Sequence, residues 1–203
     1  MFRYRFLIVF LFPLLLLAAL LIGITSTAQA EQTILYVDRN AGGSNTGSSW
    51  ADGFTDLQGA LAVANTNPAN SYEIWVAKGV YTPGITRTAS FSLTHDNVQL
   101  YGGFDGTESQ RADRNWSGNL TVLSGDIDGN DGVDANGIVA NTANITGSNS
   151  YHVLWLDGVK NGPITGKTVI DGFFITAGQA NGAPPDSSGG GIFCAGNGSG
   201  SEC

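Results

Sequence analysis

Short runs of apolar and β-branched residues recur along the chain, and Gly, Asp or Asn separates each run from the next. The runs are three to six residues long, and their centres lie 24, 23, 32, 19 and 20 residues apart, at Trp75, Gln99, Val122, Leu154, Phe173 and Phe193. One strand per roughly 20 residues, with loops of varying length, is typical of a solenoid. The pattern therefore predicts stacked, short strands joined by turns.

One segment has a helical pattern. Between residues 55 and 64, Leu57, Ala60, Leu61 and Ala64 fall on one face of a helix. Thr55 is the predicted N-cap, and the segment around Pro68 ends the helix. Because a short strand at residues 34–37 precedes it and the strand series follows it, the helix is predicted to cap the first strands.

The N-terminus has the pattern of a secretory signal peptide. Two arginines in the first five residues precede an apolar run over residues 6–24, and an Ala-Gln-Ala cleavage site ends at Ala30. The alternative is an uncleaved anchor, since a run of about 19 residues could nearly span a bilayer. Pro13 interrupts the run and favours cleavage. The sequence thus predicts export to the outer cell surface or beyond, with no membrane span after cleavage.

Composition narrows the class of partner. The chain has 9 basic and 17 acidic residues, a net charge of −8, and 29 glycines. This acidity argues against nucleic-acid binding, which needs a basic surface. Abundant Gly with Asn and Ser favours turns over amphipathic helices. The predicted organisation is a signal peptide over residues 1–30, a first strand and capping helix over 31–70, and β-coils over 71–203.

An acidic, Gly-rich loop is the candidate metal site, and it also accounts for the 32-residue interval. Carboxylate and amide oxygens are the ligands that calcium prefers, and the loop offers five: Asp126, Asp128, Asn130, Asp131 and Asp134. The loop is not an EF-hand, because position twelve from Asp126 is Gly137 and not Glu. The alternative is a solvated loop in which Asp and Asn make turns. No cofactor is assigned from the sequence, and calcium is the one that this loop suggests.

Two cysteines, Cys194 and Cys203, stand near the end of the chain. In an exported protein they are expected to form a disulfide with each other, or to pair with cysteines outside this sequence. Neither belongs to a Cys-x-x-Cys motif, so the sequence gives no support for a zinc site.

No catalytic residue can be assigned from the sequence. Asp157 and Asp171 could align as a carboxylate pair, but each precedes Gly in a common turn dipeptide. The candidate bases are Arg111, Arg114, Lys160 and Lys167, and none stands in a recognisable catalytic motif. His95 and His152 are isolated, so we predict ordinary surface or turn histidines. The large residues Trp75, Tyr101, Trp155 and Phe173 are predicted to stack inside the core.

The order of motifs resembles a known family. The motifs are Tyr36-Val-Asp38, then residues 47–58, 73–83, 101–108 and 123–128. Together they resemble the N-terminal region of bacterial right-handed parallel β-helix proteins of the pectin-lyase-like group. Residues 189–193 are similar to the Gly-Gly-aliphatic repeat of polymorphic outer-membrane proteins. The resemblance covers residues 34–194 and implies an all-β, right-handed parallel β-helix (a solenoid) with an N-terminal capping helix. Because family members continue for more coils, it also implies truncation at the C-terminus.

Two functions follow from the resemblance. The first is a non-catalytic exported protein, adhesin-like or a carbohydrate-binding scaffold, whose partner is a polysaccharide or the surface of a host or neighbouring cell. The alternative is a secreted polysaccharide lyase or glycoside hydrolase whose active coils lie beyond Cys203. Fold resemblance alone does not establish either activity.

Overall fold

The computed structural model describes residues 32–196. Its strands are short and its one α-helix comes early in the chain. The elements are β1 (Gln32–Val37), α1 (Leu57–Thr66), β2 (Ser71–Ala77), β3 (Gly79–Tyr81), β4 (Phe91–Leu93), β5 (Val98–Phe104), β6 (Thr121–Ser124), β7 (Leu154–Asp157), β8 (Val169–Asp171), β9 (Phe173–Thr176) and β10 (Ile192–Ala195), with 3-10 turns at Arg111–Asp113 and Thr142–Asn144. The apolar runs predicted as strands lie in β2, β5, β6, β7, β9 and β10. Within the described range, no helix is both long and apolar enough to cross a bilayer, and the run at residues 6–24 lies outside that range.

The strands form three small parallel sheets. The first sheet has the order β1-β2-β5-β8, the second β3-β6-β9, and the third β4-β7-β10. The chain visits the three sheets in turn, so that β2, β3 and β4 are followed by β5, β6 and β7 and then by β8, β9 and β10. Strands adjacent in a sheet are therefore distant in sequence.

The predicted fold class is wrong. We expected an all-β, right-handed parallel β-helix, but the structure has mixed content, with 10% helix and 29% strand, and short parallel strands in three small sheets. The apolar runs located the strands, but their spacing did not predict the structure of the segments between them. Gly- and Asn-rich segments, such as residues 125–153, form turns held by side-chain hydrogen bonds to the backbone rather than further strands.

The main core lies on one face of the first sheet. Leu35, Ile74, Leu100 and Ile170 are paired across its four strands, and Leu35, Ile74 and Leu100 are buried in the same cluster as residues of α1 and of the third sheet. Side chains alternate between the two faces of a strand. The neighbouring row, Tyr36, Trp75, Tyr101 and Asp171, therefore lies on the opposite face.

That opposite face carries a second, smaller aromatic cluster of Trp75, Tyr101 and Phe104. The rings of Trp75 and Phe104 stack with their centroids 4.9 Å apart, and Tyr36 meets Trp75 edge-on at 5.6 Å. Aromatic pairs in these geometries stabilise a fold beyond their buried area. Both faces of the first sheet therefore carry buried apolar side chains.

Helix α1 confirms the predicted helical segment. Its buried residues are Leu57, Ala60, Leu61 and Ala64, and it contacts β1, β2 and β4. The N-cap is Asp56, whose carboxylate accepts the backbone N–H of Gly59 at 2.8 Å, and not Thr55. The backbone N–H of Thr55 instead donates to Asn45. A carboxylate at the N-cap also complements the positive end of the helix dipole.

Candidate functional site

A buried carboxylate anchors the candidate site on the opposite face of the first sheet. Glu73 of β2 is only 9% exposed, and its Oε2 accepts the indole N–H of Trp75 at 2.7 Å. Alternate positions on a strand face the same way, so the two side chains meet. A buried carboxylate needs such donors, because desolvation of an unpaired charge is costly.

Two arginines reach this face from the loop that follows β5. Nη1 of Arg111 donates to Glu73 Oε1 at 2.7 Å and to the hydroxyl of Tyr101 at 2.9 Å. Arg114 pairs with Asp171, which ends β8. The guanidinium carbons of Arg111 and Arg114 lie 4.5 and 5.0 Å from the centroid of the Tyr101 ring. Both cations therefore gain from the negative face of one aromatic ring.

Tyr101 links the strand to the loop. Its hydroxyl accepts from Arg111 and donates to Gln99 Oε1 at 3.0 Å. Burial raises the pKa of Tyr101, with Glu73 adding to this and the two arginines opposing it. The phenol therefore stays protonated at neutral pH and keeps its role as a donor.

The arginine loop and β2 enclose an open cleft of about 540 Å³, lined by Glu73, Gln110, Arg111, Arg114 and Trp116 among others. Trp116 is 59% exposed. Gly103 has φ +94, and its lack of a side chain allows the backbone of Trp116 to approach closely, because a Cβ at Gly103 would lie 2.5 Å from the Trp116 Cα. We call this the Trp116 cleft.

The Trp116 cleft offers one large apolar ring and one guanidinium with donors to spare. Nε and Nη2 of Arg111 make no hydrogen bond within the described residues, and the side chain is 45% exposed. The two arginines balance the charges of Glu73 and Asp171. Such a surface suits a polar ligand with a flat apolar face.

The predicted calcium loop is held together by its own acidic side chains. Asp126 accepts the backbone N–H groups of Gly129, Asn130 and Asp131. Asp134 accepts those of Ile138 and Asn136, and these bonds lower its pKa. Carboxylates used in this way stabilise turns.

The remaining calcium candidates tie this loop to residues 146–149. Asp128 accepts the N–H of Ser148, and Asn130 accepts the hydroxyl of Thr146. Asp131 accepts the N–H of Thr146 at 2.6 Å and the amide of Asn149 at 2.7 Å. Over residues 32–196, no group of three or more His, Cys, Asp or Glu side chains is arranged to hold a metal ion. Calcium binding by this loop stays a prediction.

The two aspartates considered as a carboxylate pair lie in different sheets. Asp157 ends β7 of the third sheet, and Asp171 ends β8 of the first. Asp157 accepts the N–H groups of Val159 and Lys160, which is a turn role. Asp171 instead contacts Arg114.

The cysteine and histidine predictions had different outcomes. Cys194 is disulfide-bonded, while Cys203, the other cysteine of the sequence, lies outside the described residues. We predicted surface or turn histidines, and the surface alternative is wrong: His95 is 2% and His152 1% exposed, although both lie between strands. Nε2 of His95 lies 2.9 Å from the Ala64 carbonyl oxygen, so this ring caps a helix carbonyl.

His152 is buried by residues that are distant in the sequence. Its Nε2 lies 3.2 Å from Asp186 Oδ1, and its ring stacks on Phe193 with centroids 4.6 Å apart. The loop that carries Asp186 comes from far along the chain. A pattern read around His152 alone therefore could not predict the burial.

Sequence reasoning missed Glu73 and Trp116 and placed Tyr101 only in a core. The alternation Glu73-x-Trp75 was a usable signal, since it puts a carboxylate beside an indole on one strand face. The second signal was the spacing of Arg111 and Arg114, one turn apart just before Trp116.

Three comparisons with known proteins gave no further guide: no family model, curated protein or solved structure matched the chain.

Proposed function

We propose that this chain is an exported, non-catalytic carbohydrate-binding protein of the cell surface or extracellular space, and that the Trp116 cleft is its sugar site. The observation that carries the proposal is an open cleft lined by both the exposed Trp116 and Arg111. The signal-peptide pattern of the N-terminus supports export.

The chemistry of a sugar matches this pair. One face of a pyranose presents C–H groups that stack on an aromatic ring, and its hydroxyls accept hydrogen bonds from a guanidinium. Arg111 is held by Glu73 through Nη1, and its Nε and Nη2 have no hydrogen-bond partner within the described residues. The amide of Gln110 adds a donor and an acceptor at the same wall.

The non-catalytic part of the proposal rests on how the charged groups are used. Glu73 accepts two hydrogen bonds, and each arginine is already paired with a carboxylate. A general acid or base needs a free proton site within reach of substrate. The alternative, a polysaccharide lyase or glycoside hydrolase, is tested by assaying the same polysaccharides for released products.

Affinity electrophoresis and calorimetry against a panel of soluble polysaccharides, including pectin, test the proposal. Trp116→Ala should weaken binding about 30-fold, because truncating a central aromatic contact typically costs about 2 kcal/mol or more. Arg111→Gln should weaken it about 10-fold. Val159→Ala and Lys160→Gln are the matched controls, since Val159 is also an exposed apolar side chain.

Two results would contradict the proposal. Equal affinity of the wild-type chain and Trp116→Ala for every polysaccharide that binds would exclude this cleft as the site. Release of unsaturated products or reducing ends, lost on mutation of Glu73 or Arg111, would favour the enzyme alternative.

A further inference from the structure

A second cleft concentrates positive charge in an acidic chain. It has a volume of about 560 Å³ and is lined by Arg39, Asn40, Lys78 and Asn136, with Gly and apolar residues completing its walls. Among the described residues that line it there is no carboxylate, although the chain has 17 acidic residues against 9 basic ones. We call it the Arg39 cleft.

Arg39 is held in a defined position. Its Nη1 donates to the Val80 carbonyl oxygen at 3.0 Å, and its backbone N–H donates to the hydroxyl of Tyr81 at 3.4 Å. Gly79 has φ +141, and a Cβ at this position would lie 2.7 Å from Cδ of Arg39. The missing side chain at Gly79 therefore leaves room for the arginine stem.

The free edge of this arginine is available to a ligand. Nε and Nη2 of Arg39 have no hydrogen-bond partner in the part of the chain that the structure describes. These two groups form one side of the guanidinium fork, which matches two oxygens of an anion.

Lys78 adds a second, uncommitted cation. Its side chain is exposed and makes no ion pair within residues 32–196. Lys78 lowers the pKa of Asp105, although a hydrogen bond from Thr107 lowers it more. Asp105 already accepts two hydrogen bonds from Thr107 and does not line the cleft.

Tyr81, whose hydroxyl accepts the backbone N–H of Arg39, adds no negative charge next to this arginine. Burial raises the pKa of Tyr81 to about 12, so the phenol is protonated at neutral pH and donates to the Ala77 carbonyl oxygen. The phenol that accepts the backbone N–H of Arg39 is therefore neutral.

We propose that the Arg39 cleft binds a tetrahedral oxyanion, namely a sulfate or phosphate ester. The arginine fork takes two oxygens, and the lysine ammonium, a point charge, neutralises the third. The side-chain amides of Asn40 and Asn136 can donate to the same group. This inference is independent of the sugar site, since no residue lines both clefts.

Isothermal calorimetry on the purified full-length chain tests the inference. The probes are methyl sulfate and methyl phosphate, which distinguish the two ester classes, with acetate and chloride at equal ionic strength as comparison anions. We expect binding of at least one ester, weakened by added salt because the attraction is electrostatic.

The variants separate the two cations. Arg39→Gln should weaken ester binding at least 10-fold through loss of charge-assisted hydrogen bonds, and Lys78→Gln about fivefold through loss of one charge near the anion. Arg39→Lys keeps the charge without the fork and should fall between wild type and Arg39→Gln. Lys160→Gln, which removes a charge elsewhere, should change nothing.

Both residues are exposed, so the variants should keep the melting temperature of the wild-type chain, which circular dichroism checks. Unchanged ester binding by the double variant Arg39→Gln/Lys78→Gln would overturn the inference. Acetate or chloride binding as tightly as either ester would overturn the assignment to a tetrahedral oxyanion.

Discussion

Replacing Glu73 by Ala should destabilise the fold, because one buried carboxylate serves both the sheet and the arginine loop. Its Oε2 accepts the N–H of Trp75 at 2.7 Å, and its Oε1 accepts from Arg111 at 2.7 Å. The substitution leaves the buried indole N–H of Trp75 without an acceptor. It also leaves the guanidinium of Arg111 without its counter-charge.

The two losses differ in size. A hydrogen bond to a charged group contributes about 1.5–3 kcal/mol to stability. The buried N–H of Trp75 would lose this whole contribution, because no water replaces the missing acceptor. The ion pair with Arg111 is worth at most about 1 kcal/mol, because that side chain is 45% exposed and water screens the pair. We therefore expect Glu73→Ala to lower the free energy of unfolding by about 2–4 kcal/mol.

Urea denaturation followed by far-ultraviolet circular dichroism measures the change. Two double-mutant cycles divide it: the coupling of Glu73→Ala with Trp75→Phe should exceed its coupling with Arg111→Gln. Asp113→Asn is the control, since Asp113 is an exposed carboxylate in the same loop. A loss below about 1 kcal/mol, or a larger coupling to Arg111 than to Trp75, would refute the reasoning.

Two further predictions concern other carboxylates. Burial alone would raise the pKa of Asp96, but hydrogen bonds from Thr165, Thr168 and Asn97 outweigh it and lower the pKa below the usual 3.8. The stabilising effect of the ionised carboxylate is therefore present above pH 3.8 and is lost as the pH falls through the lowered pKa. Asp96→Asn should reduce stability at pH 7 and flatten the acid limb of a stability–pH curve, and an unchanged acid limb would contradict this. Asp131→Ala should cost about 2–4 kcal/mol in a chelator-treated sample, because Thr146 and the buried Asn149 lose their acceptor. Calcium calorimetry on the wild-type chain then tests the calcium prediction: a rise in melting temperature supports it, and a flat titration opposes it.

The sequence identified most strands because the signal for a strand is local. Val98–Phe104 and Phe173–Thr176 combine β-branched and aromatic residues between Gly or Asn turns. The sequence pattern could not assign the strands to sheets, since pairing such as that of β5 with β8 joins strands more than 60 residues apart. The fold class was wrong because intervals between apolar runs carry no information about the turns that fill them.

The site was harder to predict for the same physical reason. Arg111 and Arg114 are close to Trp116 in sequence, but Glu73 joins them only when β2 and β5 pair. A single carboxylate in a strand pattern is predicted to face solvent, because the sequence does not show which distant residues bury it. The burial of His152 likewise depends on a distant loop.

The position of Glu73 and Tyr101 has a consequence for binding. They belong to β2 and β5, which have hydrogen-bonded neighbours on both sides within the first sheet. The groups that hold Arg111 therefore have little conformational freedom left to lose. Ordering a mobile side chain at an interface costs about 0.5–1.5 kcal/mol, and a ligand entering beside Trp116 avoids most of that entropic penalty at Arg111.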